Sequence, residues 1–107
     1  MIRFDFRGEK WAILFRHDHM VGTSCIVVKE EGLWDEGRLK GKMKYRVMGE
    51  GSTSLNPVDR GRYKKEFGRK MSLKRALDGA GILDKKERLL VWRAYFGRFV
   101  EEEYYVK

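Results

Sequence analysis

Cations are the residues of this chain best placed to do chemistry. Between positions 60 and 75 stand Arg60, Arg62, Lys64, Lys65, Arg69, Lys70, Lys74 and Arg75 against one acid, Glu66. That run carries +7 of a net charge of +8, so the remainder of the chain is close to balanced. A local excess of this kind sets up a field that attracts phosphates or acidic protein surfaces; it serves equally as a solubilising helix face. A second set, Arg38, Lys40, Lys42, Lys44 and Arg46, occupies alternate positions. On a strand these five share one face, as a ligand ladder or as a guard against edge-to-edge association.

Catalytic constellations are harder to find. Nucleophilic hydrolysis requires a base beside a Ser or Cys, and no motif puts one there. Cys25 opens the apolar run Cys25-Ile26-Val27-Val28, where a thiol packs and does not react. Metal-dependent nuclease chemistry requires clustered carboxylates. The acids Asp35-Glu36 and Glu101-Glu102-Glu103 fall in an expected loop and in the tail. His17-Asp18-His19 places two imidazoles on one strand face, short of the three protein ligands a zinc site needs. The expectation is a protein that is not an enzyme and uses no metal or cofactor.

The segment GEGSTSLNP has the outline of a phosphate cradle but lacks GxxxxGK[ST]. It keeps a helix N-terminus with open N–H groups and the side chains of Ser52, Thr53, Ser54 and Asn56, which suit either an anion or an ordinary loop and cap. RNP1, zinc-finger and GXXG signatures are missing, so any nucleic-acid contact would be non-specific and run along phosphates.

These side chains need a scaffold. Ile2, Phe4 and Phe6 alternate with Arg3, Asp5 and Arg7, the period of a half-buried strand. Gly8-Glu9-Lys10 reads as a turn, and Trp11, Ile13 and Phe15 as the buried face of a second strand. A third strand is expected over 23–29, with a loop over 32–37. A fourth is expected over 38–47, Leu39, Gly41, Met43, Tyr45 and Val47 facing inward, followed by a polar loop at 49–54. Asn56 and Pro57 suit the cap and first position of a helix running to about Leu77, with Tyr63, Phe67, Met71, Leu73 and Leu77 as its apolar stripe. On that wheel Lys70 and Lys74 project into the apolar arc, where they snorkel or reach a pocket. Gly79 and Gly81 end the helix. Asp84 and Glu87 cap a second helix with a core stripe of Leu89, Trp92, Phe96 and Phe99; Leu90, Val91 and Ala94 make it apolar nearly all round, which calls for another subunit. The tail at 101–107 has three fates open to it: fraying, adding a strand, or docking on a neighbour.

The chain, 107 residues with 42% hydrophobic and 13% aromatic content, fits a single α+β domain over 1–107, strand-rich at 1–50 and helical at 57–100. The expected architecture is an antiparallel sheet of about four strands followed by two C-terminal helices on one face. A lone cysteine rules out an internal disulfide. No apolar run approaches the length of a membrane span, and the charged N-terminus does not read as a signal peptide, so a cytoplasmic protein with no membrane partner is expected.

Asn56-Pro57-Val58-Asp59, followed by Phe67-Gly68-Arg69-Lys70-Met71-Ser72-Leu73-Lys74-Arg75-Ala76-Leu77, resembles a pattern in small phage-encoded proteins. There an NPxD turn precedes a helix reading FGRKxxLxRAL, and LDKKERLLVWRAYFGR resembles their second helix. The likeness covers about the second half of the chain. Members often carry Cys before the Asn-Pro pair, where this chain has Leu55. By this resemblance the group includes the first type of Thoeris anti-defence protein, oligomeric sponges that capture cyclic ADP-ribose-type signals and, in some cases, cyclic oligonucleotides. The resemblance implies a homo-oligomer in the host cytoplasm that sequesters a nucleotide signal without turnover. It makes Arg69 and Lys70 the leading ligand residues, with Asn56 and Arg75 behind them. Arg62 and Lys74 from the basic run and Phe67 as a stacking ring complete the candidate set. A basic nucleic-acid-binding protein and an inhibitor of a host protein remain the alternatives.

Overall fold

Alternating apolar and charged side chains build the first hairpin of the computed structural model, which describes residues 1–18, 22–54 and 65–105. Strand β1 (Ile2–Phe6) and strand β2 (Glu9–Asp18) pair antiparallel, with Phe6 opposite Glu9. The turn between them is therefore Arg7–Gly8, not Gly8-Glu9-Lys10 as expected. Both residues have positive φ, 51° and 74°, the two-residue turn whose twist matches that of the flanking strands.

Strands β3 (Gly22–Leu33) and β4 (Met43–Ser54) extend the meander, and the sheet order is β1-β2-β3-β4, antiparallel throughout. Two expectations are corrected here. The cationic strand begins only at Met43. Leu33 pairs with Met43, and the chain reverses between them, with Gly37 and Gly41 at φ 77° and 84°. Arg38, Lys40 and Lys42 thus lie in the connection, and only Lys44 and Arg46 stand on β4. The expected loop at 49–54 is the second half of β4, paired residue by residue with β3 from Gly49↔Val27 to Ser54↔Gly22. Strand β3 likewise runs past Lys29, and Gly32 is one of its residues, not the start of a loop.

The two glycines of that half-strand admit a helix. A Cβ on Gly49 would stand 2.1 Å from the Ala76 carbonyl oxygen, and one on Gly51 would stand 2.2 Å from that of Ser72. Helix α1 (Lys65–Gly79) therefore rests its backbone almost directly on β4. So close an approach requires small residues on the helix as well. The packed face is Gly68, Ser72 and Ala76, flanked by Leu73 and Leu77, all buried. The expected Phe67–Met71 stripe is not the core: Phe67 is 58% exposed. Tyr63, Asn56 and Pro57 lie outside the described residues. α1 ends in a Schellman motif: Gly81 at φ 73° donates to the Asp78 carbonyl (3.1 Å) and Ile82 to that of Leu77 (3.0 Å), with Leu77 and Ile82 both buried.

Helix α2 (Lys85–Tyr105) is capped by Asp84, whose Oδ2 accepts from the Glu87 N–H at 3.1 Å. Its described core residues are Val91 and Tyr95. Leu89 and Phe96, expected in the core, are 50% and 40% exposed, and Trp92 is half-buried. Tyr95 takes the central position because its ring packs edge-on to Phe15 and Trp92 while its hydroxyl accepts from Arg69 Nε at 3.3 Å. The segment expected as a tail continues α2 as far as Tyr105. Phe15, Cys25 and Gly51 lie in one cross-strand row, so both helices cover the same sheet face. Among the described residues no helix is long and apolar enough to cross a membrane.

Candidate anion-binding groove

The period of two that builds the sheet also sorts the side chains at its β2–β3 end. Arg16, Ser24 and Ser52 form one cross-strand row, and His17, Thr23 and Thr53 form the next. Adjacent rows face opposite ways. Arg16 and the two serines thus belong to the face away from the helices, and the two threonines are buried. Thr23 Oγ1 lies 2.9 Å from His17 Nδ1, and its carbonyl oxygen lies 3.4 Å from Thr53 Oγ1.

A groove of about 320 Å³ follows these rows, lined by Arg16, Asp18, Ser24, Ser52, Thr53 and Ser54. A second depression of about 390 Å³ adjoins it at Ser24 and Ser52 and extends to Ile26 and Glu50. The hydroxyls of Ser24, Ser52 and Ser54 belong to this face and can both donate and accept. A guanidinium reaches the same strand from α1: Arg75 donates from NH1 to the carbonyl oxygen of Ser52. Arg75 thus holds the backbone of β4 from the helix side, while Arg16 and the serines line the other face, with Asp18 and Glu50 at the margins. The arrangement can hold an anion bearing further hydroxyls by charge-assisted hydrogen bonds. Burial pushes the neighbouring Cys25 thiol up to about 12, so at neutral pH it stays protonated.

The expected ligand residues do not come together. Asn56 and Arg62 lie outside the described residues. Phe67 and Lys74 point outward, so Lys74 is not in the apolar arc. Arg69 turns toward α2 and binds Tyr95. Lys70, half-buried, pairs with Glu66 at 2.9 Å and sits 5.5 Å from the Phe96 ring centroid. Arg75 lies about 120° around the helix from Arg69, on the β4 side. Of the described members of the set, only Arg75 bonds a residue of the groove, through the Ser52 backbone carbonyl. Ser52, Thr53 and Ser54 do line it, although as strand residues and not as a loop. Arg16 and Ser24 are additions. Their signal is the register that sets them opposite each other, which no spacing within the sequence displays.

His17 faces Thr23, and His19 lies outside the described residues. Among the described residues no cluster of three or more His, Cys, Asp or Glu is placed to hold a metal ion. No protein-family model, curated protein or solved structure matches this chain.

Proposed function

We propose that this protein binds a phosphate-bearing nucleotide in the groove at the β2–β3 end of its sheet and holds it without turnover. The observation that supports this reading is Arg16 beside the serine row of Ser24 and Ser52 in one groove, with Arg75 on the Ser52 carbonyl at the adjoining stretch of β4. Guanidinium groups suit the two-point recognition of phosphate, and hydroxyls suit ribose and phosphate oxygens. The groove's volume falls at the lower end of the range for small-molecule sites, which suits one nucleotide unit. The likeness of the second half of the chain to phage anti-defence sponges supplies the biological role: sequestration of a cyclic ADP-ribose isomer or a cyclic oligonucleotide. In this reading Arg75 is the ligand residue retained from that likeness, while Arg69 and Lys70 hold α2 in place.

A homo-oligomer belongs to the same reading. Leu83, Leu89, Leu90 and Phe96 are 71%, 50%, 49% and 40% exposed, more apolar surface than one helix and its connection usually leave to water. A second copy of the chain would cover it.

Native mass spectrometry of the protein with cyclic dinucleotides, cyclic trinucleotides and cyclic ADP-ribose isomers tests both parts. The expected spectrum shows an oligomer retaining one unaltered nucleotide per groove. Arg16→Ala and Arg75→Ala should each weaken retention by about tenfold or more, the cost of a charge-assisted hydrogen bond. Retention of nothing in the panel, or unchanged affinity in both variants, would overturn the proposal.

A further inference from the structure

At the end of the sheet away from the groove, the β3–β4 hairpin extends past its neighbours. β2 pairs with β3 only from Gly22 to Lys29, so residues 30–33 and 43–45 pair with each other and with no third strand. Every residue from 31 to 42 is exposed. The arm is nonetheless an ordered ribbon. The Gly41 N–H donates to the Trp34 carbonyl and the Trp34 N–H to the Lys42 carbonyl, both at 2.8 Å. A register shift between Glu30 and Leu33, with Gly32 at φ 97°, marks a bulge at its root.

Apolar and cationic side chains share this arm with three acids, Glu31, Asp35 and Glu36, and the five cations leave residues 31–46 with a net charge of +2. Leu33, Trp34 and Leu39 are 58%, 40% and 45% exposed. Arg38, Lys40 and Lys42 are exposed and make no ion pair among the described residues. Lys44 Nζ stands 4.8 Å from the Trp34 ring centroid, and Arg46 pairs with Glu31 at 2.6 Å. Lysines alone suffice to protect an edge from aggregation. Exposing a tryptophan and two leucines beside them works against that purpose. The combination fits a surface that is anionic and also presents apolar groups, which describes the grooves of a nucleic-acid duplex.

The geometry points to the β3–β4 arm, residues 31–46, as an element that binds double-stranded DNA. A ribbon of two strands about 4.8 Å apart is narrow enough for a major groove about 12 Å wide. The major groove of duplex RNA is deep and too narrow for such an insertion. Arg38, Lys40 and Lys42 at the tip supply the phosphate contacts, and Leu33, Trp34 and Leu39 the apolar ones. The arm shares no residue with the nucleotide groove, so the two readings stand or fall separately.

Fluorescence anisotropy of the whole chain with a labelled DNA duplex of about 20 base pairs provides the test. With three phosphate contacts, affinity should fall about 40-fold between about 50 and 200 mM salt. The triple variant Arg38→Ala, Lys40→Ala, Lys42→Ala should bind at least tenfold more weakly at low salt and lose most of that salt dependence. Trp34→Ala should weaken binding as well. A control that removes the same charge from α2 (Lys85→Ala, Lys86→Ala, Arg93→Ala) should bind within about twofold of the parent. The inference is overturned if the arm variant binds as the parent does, or if the α2 control loses as much. Equal affinity for a single strand or for duplex RNA would also overturn it, as would capture by anionic phospholipid vesicles without capture by DNA.

Discussion

Arg7 and Glu87, eighty positions apart, meet in a two-point ion pair: Arg7 Nε donates to Glu87 Oε2 at 2.7 Å and NH2 to Oε1 at 2.9 Å. The pair ties the β1–β2 turn to the first turn of α2. It also holds Arg7 at a positive φ that a non-glycine residue seldom adopts. The hydrogen bonds from Arg7 hold the Glu87 carboxyl below its ordinary value, and the arginine's charge adds to this. A depressed carboxyl contributes stability above its unfolded pKa of about 4.3, and that contribution is lost as pH falls through the lower folded value. Glu87→Gln should therefore melt below the parent at pH 7, and the two melting temperatures should converge in acid. Thermal melts across that range check this; a gap independent of pH would mean that the pair is not its source.

The β4 glycines make the contact between sheet and helix a backbone contact. Gly49→Ala and Gly51→Ala place a methyl group inside the van der Waals radii of the Ala76 and Ser72 carbonyl oxygens, and neither oxygen can move without shifting α1. Each should cost about 3 kcal/mol, the upper end for overpacking, a large part of a small domain's stability. Gly97 lies inside α2, where an added Cβ meets nothing within 4 Å. Gly97→Ala should accordingly stabilise by about 0.5–1 kcal/mol. Urea unfolding of the three variants measures the contrast.

The same glycines show where the amino-acid sequence was legible. Alternation in Ile2–Phe6 and around Trp11, Ile13 and Phe15 reports a local geometry, and those strands form as read. Gly49 and Gly51 serve a partner more than twenty positions away, and within their own segment they look like loop residues. Helix faces failed for a related reason. Phe67 and Leu89 are the more hydrophobic choices, but α1 lies too close to β4 for a large residue at the contact, and in α2 the pocket beside Phe15 is filled by Tyr95 with Arg69 at its hydroxyl. The groove was half legible. Ser52, Thr53, Ser54 and Arg75 stand out by composition, whereas Arg16 and Ser24 join them only through register.

The position of Arg69 separates a structural role from a ligand role. Its Nε donates to the hydroxyl of a tyrosine that is 1% exposed. Arg69→Ala should lower stability by about 1 kcal/mol, as for a typical intramolecular hydrogen bond, while nucleotide affinity changes less than it does in Arg75→Ala. Chemical unfolding and calorimetric titration of both variants give the two readouts. The reverse order, a stable Arg69→Ala protein that no longer binds, would return Arg69 to the ligand site.

If the β3–β4 arm serves a partner, the fold should not need it. Leu33 pairs with Met43, and every residue between them is exposed. Replacing residues 34–42 with Asn-Gly closes the hairpin with the two-residue turn that strand twist favours, and gives up no buried side chain. The shortened protein should unfold within about 0.5 kcal/mol of the parent, as surface changes usually do. It should retain nucleotide, because the groove lies at the opposite end of the same two strands, and it should lose duplex DNA. Urea unfolding, calorimetry and anisotropy on this single variant separate the three properties. A large loss of stability would make the arm part of the scaffold and remove the reason to assign it to a partner.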